Sequence, residues 1–123
     1  MEDATHDPLA DALHELRAIY LGEAPERVRE LSAALGRLRL GQPDALNDLH
    51  LYFHRLAGSG GSYGFPDITD CSRSAEHAVQ RLVSSRRAVE NADLAGLEQY
   101  VLDLAAAFAA AQRAFDQGKI ADD

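Results

Sequence analysis

The sequence predicts an all-α protein, an up-down-up-down four-helix bundle with an additional short N-terminal helix. Apolar residues recur every three or four positions in five segments, and turn-forming residues separate these segments. No segment alternates with a period of two for long enough to indicate a strand. The chain has 123 residues, which is a single-domain length. We therefore expect one domain over residues 1–123, with frayed ends at residues 1–7 and 119–123.

The first two helices are predicted at the N-terminal end of the chain. The first ends near Gly22, and its apolar residues at helical spacing are Leu9, Leu13, Leu16 and Tyr20. It is shorter than the others and is expected to lie across one end or edge of the bundle. The second helix begins around Pro25, because proline suits the first turn, and ends at Gly41. Its apolar stripe consists of Val28, Leu31, Leu35 and Leu38.

The third helix opens at Gln42-Pro43-Asp44 and is predicted to run to about Tyr63-Gly64. Its apolar stripe consists of Leu46, Leu49, Phe53, Leu56 and Gly60. Phe65-Pro66-Asp67 indicates a break and a restart, because proline cannot continue a helix but suits the beginning of one. The fourth helix follows, with its apolar stripe at Ile68, Cys71, Ala75, Val79 and Leu82.

The most regular pattern belongs to the fifth helix. Asn91-Ala92-Asp93 is typical of a capping region, and Gly118 is typical of a helix end. Between them, apolar residues follow each other in steps of three and four, at Leu94, Leu97, Val101, Leu104, Phe108, Ala111 and Phe115.

Composition excludes several classes of function. The formal net charge of -8 argues against nucleic acid and against an anionic membrane surface as partners. No stretch approaches the roughly 20 apolar residues needed to span a bilayer, and the beginning of the chain lacks the features of a signal peptide. The single cysteine, Cys71, excludes an internal disulfide framework and a cysteine-rich zinc site, and is expected to be a small buried residue. A cytoplasmic protein is the simplest interpretation.

The candidate functional residue is His54, which lies about 100–160° around the third helix from its apolar stripe. The imidazole is therefore predicted to face solvent. Gly58 and Gly61 follow at +4 and +7 on nearly the same side of the helix. Each interior glycine destabilises a helix by roughly 1 kcal/mol relative to alanine. Bare backbone beside an exposed imidazole indicates that something large approaches the ring.

Small and apolar neighbours extend this surface into a docking patch. Ala57 is small, Leu51 is an apolar residue on the solvent side, and His50 is interpreted as a wall of the patch. A partner surface would dock there. The predicted partner-binding residues are Asn47, His50, Leu51, Arg55, Ala57, Gly58 and Gly61.

A neutral imidazole is a competent nucleophile near neutral pH and forms covalent intermediates. The chain contains no GxxxxGK[ST] loop, and the glycine-rich run Gly58–Gly64 follows a helix and not a strand. We therefore expect no nucleotide site and no enzymatic activity. His54 would accept a phosphoryl group only from another protein, which must also supply Mg²⁺, so the chain needs no cofactor of its own.

A metal site was weighed as an alternative role for the histidines. His50 and His54 stand at i and i+4, a spacing that chelates a metal on one helix face. No third ligand is evident from the sequence, although folding could bring His77 or a carboxylate close to the pair. No metal site is predicted.

These residues resemble the histidine phosphotransfer (HPt) domain family. The family pattern places an apolar residue, a glycine, a serine and a further glycine after the histidine, which corresponds here to His54, Leu56, Gly58, Ser59 and Gly64. Downstream, Ile68 and the pair Ala75-Glu76 also fit. The motif covers roughly residues 42–82, and the whole chain fits the family in length and helix count.

The resemblance implies a phosphocarrier of a multistep phosphorelay in two-component signalling. His54 would take the phosphoryl group from the aspartyl phosphate of one receiver domain and pass it to the aspartate of a second. The implied partners are receiver domains of response regulators and of hybrid histidine kinases, meeting Leu51 and the glycines. The chain is expected to be a monomer.

One residue departs from the family pattern. Ala57 stands where many members carry a lysine thought to stabilise the phosphoryl group. Arg55 lies roughly 100° away around the helix, and whether it substitutes is open at this point. An alternative is a helical interaction module that docks receivers or other partners without chemistry. A third interpretation, the dimerisation bundle of a histidine kinase, normally has an acidic residue after the histidine and an attached ATP-binding domain.

Overall fold

A computed structural model describes residues 7–119, and every regular element in that range is an α-helix. The five helices are α1 Pro8–Gly22, α2 Ala24–Arg39, α3 Ala45–Tyr63, α4 Pro66–Ser85 and α5 Asn91–Asp116. Helices α2 to α5 form a ring in which each packs against two others, and α3 contacts α4 most extensively. Helix α1 lies against α2, α3 and α5. The predicted all-α bundle with an additional N-terminal helix is confirmed.

The helices begin and end at or near the proline, glycine and capping residues that predicted their boundaries. Gly64 ends α3 in the left-handed region, with φ of 83°, and Pro66 lies in the first turn of α4. At α5 the N-cap is Glu90, one residue before the predicted capping region, and its N–H donates to Asp93 Oδ2 at 2.8 Å. Proline, glycine and a capping carboxylate thus set the short connections that bring the helices into one bundle.

The bundle core is formed by the apolar stripes of α2 to α5. The predicted stripe of α3 is buried along its whole length, including Gly60. Burial of each large apolar side chain contributes about 1.5–3 kcal/mol to folding. The largest fully buried apolar side chains are Phe53, Leu31, Leu49, Ile68, Leu97, Leu104 and Val79.

The apolar pattern of α1 is only partly used for packing, which corrects the prediction. Leu9 and Leu16 are exposed, at 80% and 47%, whereas Tyr20 and Leu21 at the end of the helix are buried. Helix α1 touches the bundle through few residues, so the helical spacing of its apolar residues did not reveal which of them are covered by a neighbouring helix.

Cys71 is half-buried, and its Sγ donates to the carbonyl oxygen of Tyr100 at 3.7 Å.

The ends of the chain were expected to be frayed, and residues 1–6 and 120–123 lie outside the described residues. The two remaining positions make hydrogen bonds. Asp7 Oδ1 accepts from the N–H of Leu9 at 2.9 Å and caps α1, and the N–H of Lys119 donates to the carbonyl oxygen of Ala114.

Helix α5 corrects the expectation that no stretch is apolar enough to span a bilayer. By length and composition alone it qualifies, with a mean hydropathy of 1.3 in its most apolar window. The apolar residues of α5 also fit a helix of the bundle, because α5 packs against α2 and α4. Its buried residues are Leu97, Val101, Leu104 and Phe108. Alanines between these positions account for much of its apolar composition.

Candidate functional site

The site is centred on His54, midway along α3. Phe53 and Leu56 on the same helix are buried, and this orientation leaves the His54 side chain 67% exposed. The predicted exposure of the imidazole is confirmed. The ring is held by a rigid helix and is open to solvent, so a second protein can reach it.

One ring nitrogen of His54 is anchored by helix α4. Its Nδ1 lies 2.8 Å from Oε2 of Glu76, whose side chain is only 12% exposed. An ionised carboxylate only accepts hydrogen bonds, so Nδ1 must carry a proton, and in the neutral form of the ring Nε2 then holds the lone pair. No residue in the described part of the chain bonds to Nε2. Glu76 thus selects the tautomer in which the unpartnered nitrogen is the nucleophile.

A second histidine borders the same carboxylate. His50 Nε2 lies 3.1 Å from Nε2 of Gln80 and 3.4 Å from Oε2 of Glu76, and its ring stacks beside that of His54 with centroids 6.2 Å apart. The Gln80 amide nitrogen is a donor, so His50 Nε2 accepts in this arrangement. His50 thus lies between Gln80 and the carboxylate that holds His54. Its place as a wall of the docking patch stays a prediction.

The glycines near His54 differ in what surrounds them. A Cβ atom on Gly58 would meet no other atom within 4 Å, and one on Gly61 would meet only Thr69 Oγ1, at 3.6 Å. Packing within the chain therefore does not require glycine at either position. Both lie on the exposed side of α3, as predicted, and they leave the surface beside His54 flat.

The other predicted docking residues divide into two groups. Asn47 is exposed and Leu51 is 40% exposed, so both offer surface on the same side as His54. Arg55 is also exposed, but it lines a cavity between α1, α2 and α3 of about 280 Å³, together with Glu23 and Glu30. Arg55 therefore borders a different part of the surface from His54.

Ala57 is a correction to the predicted patch. It is only 6% exposed, because position 57 turns toward α4 and lies in the contact between the two helices. Its side chain has little surface to offer a partner. Ser59, another residue of the motif, also faces inward, and its Oγ donates to the hydroxyl of Tyr20 at 2.9 Å. Burial raises the pKa of the Tyr20 phenol, so this hydroxyl stays protonated near neutral pH.

Glu76 and Gln80 are the site residues that sequence reasoning did not assign. They belong to α4, 22 and 30 residues from the histidines they contact, so helical spacing within α3 gave no sign of them. The only available signal was the Ala75-Glu76 pair in the family pattern, to which no role was attached.

A carboxylate does approach both histidines, as a metal site would require. Among residues 7–119, however, no group of three or more histidine, cysteine, aspartate or glutamate side chains is arranged to hold a metal ion. Glu76 instead accepts the hydrogen bond of His54, which suits orientation of the imidazole.

Comparison with protein families finds one whose model matches this chain. The model, described as the Hpt domain, matches residues 15–117, a range that contains helices α2 to α5 and most of α1. Comparisons with curated proteins and with solved structures give no match. The matched range includes His54 and the Glu76 that orients it.

Proposed function

The chain belongs to the Hpt domain family, the histidine phosphotransfer modules of phosphorelays, and we propose that it carries a phosphoryl group on His54 between the aspartates of receiver domains. One observation carries the proposal: the exposed imidazole has its Nδ1 bound to Glu76 at 2.8 Å, which leaves Nε2 without a partner in the described part of the chain. A nucleophile with that orientation is available to a docked protein.

In the first transfer, the aspartyl phosphate of one receiver is the donor. The lone pair of His54 Nε2 forms the N–P bond while the P–O bond to the aspartate breaks, and that electron pair leaves with the carboxylate. The ring retains its Nδ1 proton and gains positive charge. Glu76 Oε2 accepts the hydrogen bond from this proton and stabilises the charged ring.

In the second transfer, the aspartate carboxylate of another receiver attacks the same phosphorus atom. The N–P bond breaks, and its electron pair returns to Nε2, so the neutral ring is restored with its proton still on Nδ1. No proton has to leave or enter the ring in either direction. The hydrogen bond to Glu76 therefore persists through the cycle and keeps the reaction reversible.

The docking surface proposed for the receiver is the exposed side of α3. Leu51 supplies apolar area, and Gly58 and Gly61 allow the partner's backbone or side chains to approach Nε2 closely. Phosphoryl transfer depends on positioning and charge neutralisation. We propose that the receiver supplies Mg²⁺ and that this chain contributes the nucleophile and its orientation.

The test is phosphotransfer from phosphorylated receiver domains of the same cell. We expect an acid-labile, base-stable phosphoramidate on the wild-type chain and none on His54→Gln. The matched control is His77→Gln, because His77 is an exposed histidine of α4 with no hydrogen bond or ion pair within residues 7–119, and this variant should accept phosphate normally. Equal labelling of His54→Gln would refute the proposed site.

The same experiment decides the alternative. A docking module without chemistry would bind a receiver in a 1:1 complex and leave His54 unphosphorylated.

We also propose that the chain acts as a cytoplasmic monomer. A measured mass in solution of twice 13.3 kDa would favour the kinase dimerisation bundle instead.

A further inference from the structure

Helices α3 and α4 are antiparallel, and two side-chain contacts fix their register. His50 faces Gln80 and His54 faces Glu76, and further along Thr69 lies beside Gly60 and Gly61. Each step toward the C-terminal end of α3 therefore matches an equal step toward the N-terminal end of α4. In this register position 73 of α4 lies across from position 57 of α3.

Position 73 is an arginine on the solvent side of the helix contact. On the helical wheel Arg73 lies about 60° from Glu76, in the same direction as Gln80 at about 40°. Along the helix axis, Gln80 lies one turn after Glu76 and contacts His50. Arg73 lies about one turn before Glu76. Arg73 is exposed and has no hydrogen bond or ion pair within residues 7–119.

The surface of α3 opposite Arg73 is bare. Ala57 is buried and short, while Gly58 and Gly61 have no side chain, so these three positions of α3 place no long side chain between Arg73 and His54. A long arginine stem can cross such a surface and keep its guanidinium in water.

A phosphoryl group on Nε2 creates a need for a cation. Its oxygens carry about two negative charges, of which the charged ring offsets one, in a chain whose net charge is already -8. Arg55, the nearest arginine in sequence, lies about 100° around α3 and lines the cavity that holds Glu23 and Glu30. Arg73 is the exposed arginine on the α4 side of the imidazole.

We infer that the Arg73 guanidinium binds the phosphoryl oxygens of phosphorylated His54, supplying from α4 the cation that Ala57 does not provide. This inference rests on the proposed function. Arginine suits the role because its planar donors pair with two phosphate oxygens at once. Because Arg73 has no ion pair within residues 7–119, none of those residues has to release it before it binds.

The test compares Arg73→Ala with Arg81→Ala in transfer from a saturating phosphorylated receiver. Arg81 is a second exposed arginine of α4, about 140° around the helix from Glu76. Loss of the charge-assisted hydrogen bonds from Arg73 predicts a maximal transfer rate at least about tenfold lower for Arg73→Ala. Receiver affinity should change little, and Arg81→Ala should behave as wild type. Arg73→Lys should recover a large part of the rate because it keeps the charge.

A second readout does not depend on turnover. After phosphorylation of His54 with phosphoramidate, the phosphorus NMR shift is followed with pH, and the phosphoryl pKa should be higher in Arg73→Ala than in wild type, since a nearby cation favours the dianion. Unchanged rate and unchanged phosphoryl pKa would overturn the role of Arg73. If wild type itself takes no phosphate on His54, the proposed function fails instead, so the two failures are distinguishable.

Discussion

Two glycines of α3, only two residues apart, have opposite surroundings. A Cβ on Gly58 would meet nothing within 4 Å, whereas a Cβ on Gly60 would lie 2.8 Å from Thr69 Oγ1 and 3.1 Å from the backbone nitrogen of Thr69. Gly60 belongs to the tight contact with α4. Gly58 belongs to the exposed face with His54. One helix therefore uses the same residue type for packing on one face and for access on the other.

This contrast separates stability from function within a single helix. Substitutions on the face toward α4 should change the free energy of unfolding, and substitutions on the solvent face should change phosphotransfer. Glu76 belongs to both faces, because it lies in the contact between α3 and α4 and its carboxylate accepts the hydrogen bond from the exposed His54 ring. Each variant below is expected to affect mainly one of the two properties.

The largest effect is expected for Gly58→Arg. The added side chain would occupy the space that a receiver needs, and we expect transfer to fall by about 100-fold or more, since a small displacement of reacting groups alone has effects of that order. The fold should be retained and even gain roughly 0.5–1 kcal/mol, because arginine favours helix over glycine. Transfer rates and thermal unfolding followed by circular dichroism measure both quantities.

The matched control is Gly96→Arg in α5, because Gly96 is also exposed with nothing within 4 Å of its Cβ position. It should be stabilised to a similar extent and transfer phosphate normally. Unfolding of Gly58→Arg would contradict the comparison and make Gly58 a packing residue.

A smaller effect on the same reaction is expected for Glu76→Gln. The amide oxygen can still accept from His54 Nδ1, but the negative charge that stabilises the charged ring is lost. We expect transfer about tenfold slower, in line with the larger contribution of hydrogen bonds to charged groups. Glu98→Gln, an exposed carboxylate of α5, is the control. Equal rates for Glu76→Gln and wild type would show that Glu76 only fills space.

On the packed face, Gly60→Ala is expected to lower the free energy of unfolding by about 1–2 kcal/mol. The clash with Thr69 outweighs the better helix propensity of alanine, because one of the close atoms is backbone and cannot rotate away. Urea denaturation measures the difference. Gly36→Ala in α2, where a Cβ would meet nothing, should be stabilised instead. A Gly60→Ala protein as stable as wild type would contradict the claim that packing against α4 requires glycine at position 60.

The smallest effect is expected far from both faces, at the beginning of α5. The Arg87 guanidinium, with help from the N–H of Glu90, lowers the pKa of Asp93 to about 2. A carboxyl with a lowered folded pKa stabilises the fold above its usual pKa of about 4, and this contribution disappears as the pH falls toward 2.

Asp93→Asn should therefore lower the melting temperature by a few °C at pH 7, and the difference from wild type should shrink as the pH falls below about 4. Thermal unfolding at several pH values checks this dependence. Phosphotransfer should be unaffected. A difference that stays constant down to pH 2 would mean that the Asp93 charge does not stabilise α5.

The sequence was sufficient for the helices and for the exposure of His54, because both depend on periodicity within one segment. It was not sufficient where the answer depends on a neighbouring helix. Leu9 and Leu16 have the spacing of buried residues, yet no helix covers them. Ala57 shares the side of His54 but lies under α4, and the pairing of His54 with Glu76 follows from the register of two helices.

The central claim is that Glu76 holds the proton on His54 Nδ1 so that Nε2 accepts the phosphoryl group. A long-range proton–nitrogen NMR correlation spectrum of the imidazole rings, recorded before and after transfer from a phosphorylated receiver, tests it directly. We predict a neutral ring with its proton on Nδ1 before transfer, and afterwards phosphorus on Nε2 with the Nδ1 proton retained. Phosphorus on Nδ1, or an unchanged His54 ring beside another modified residue, would contradict the account.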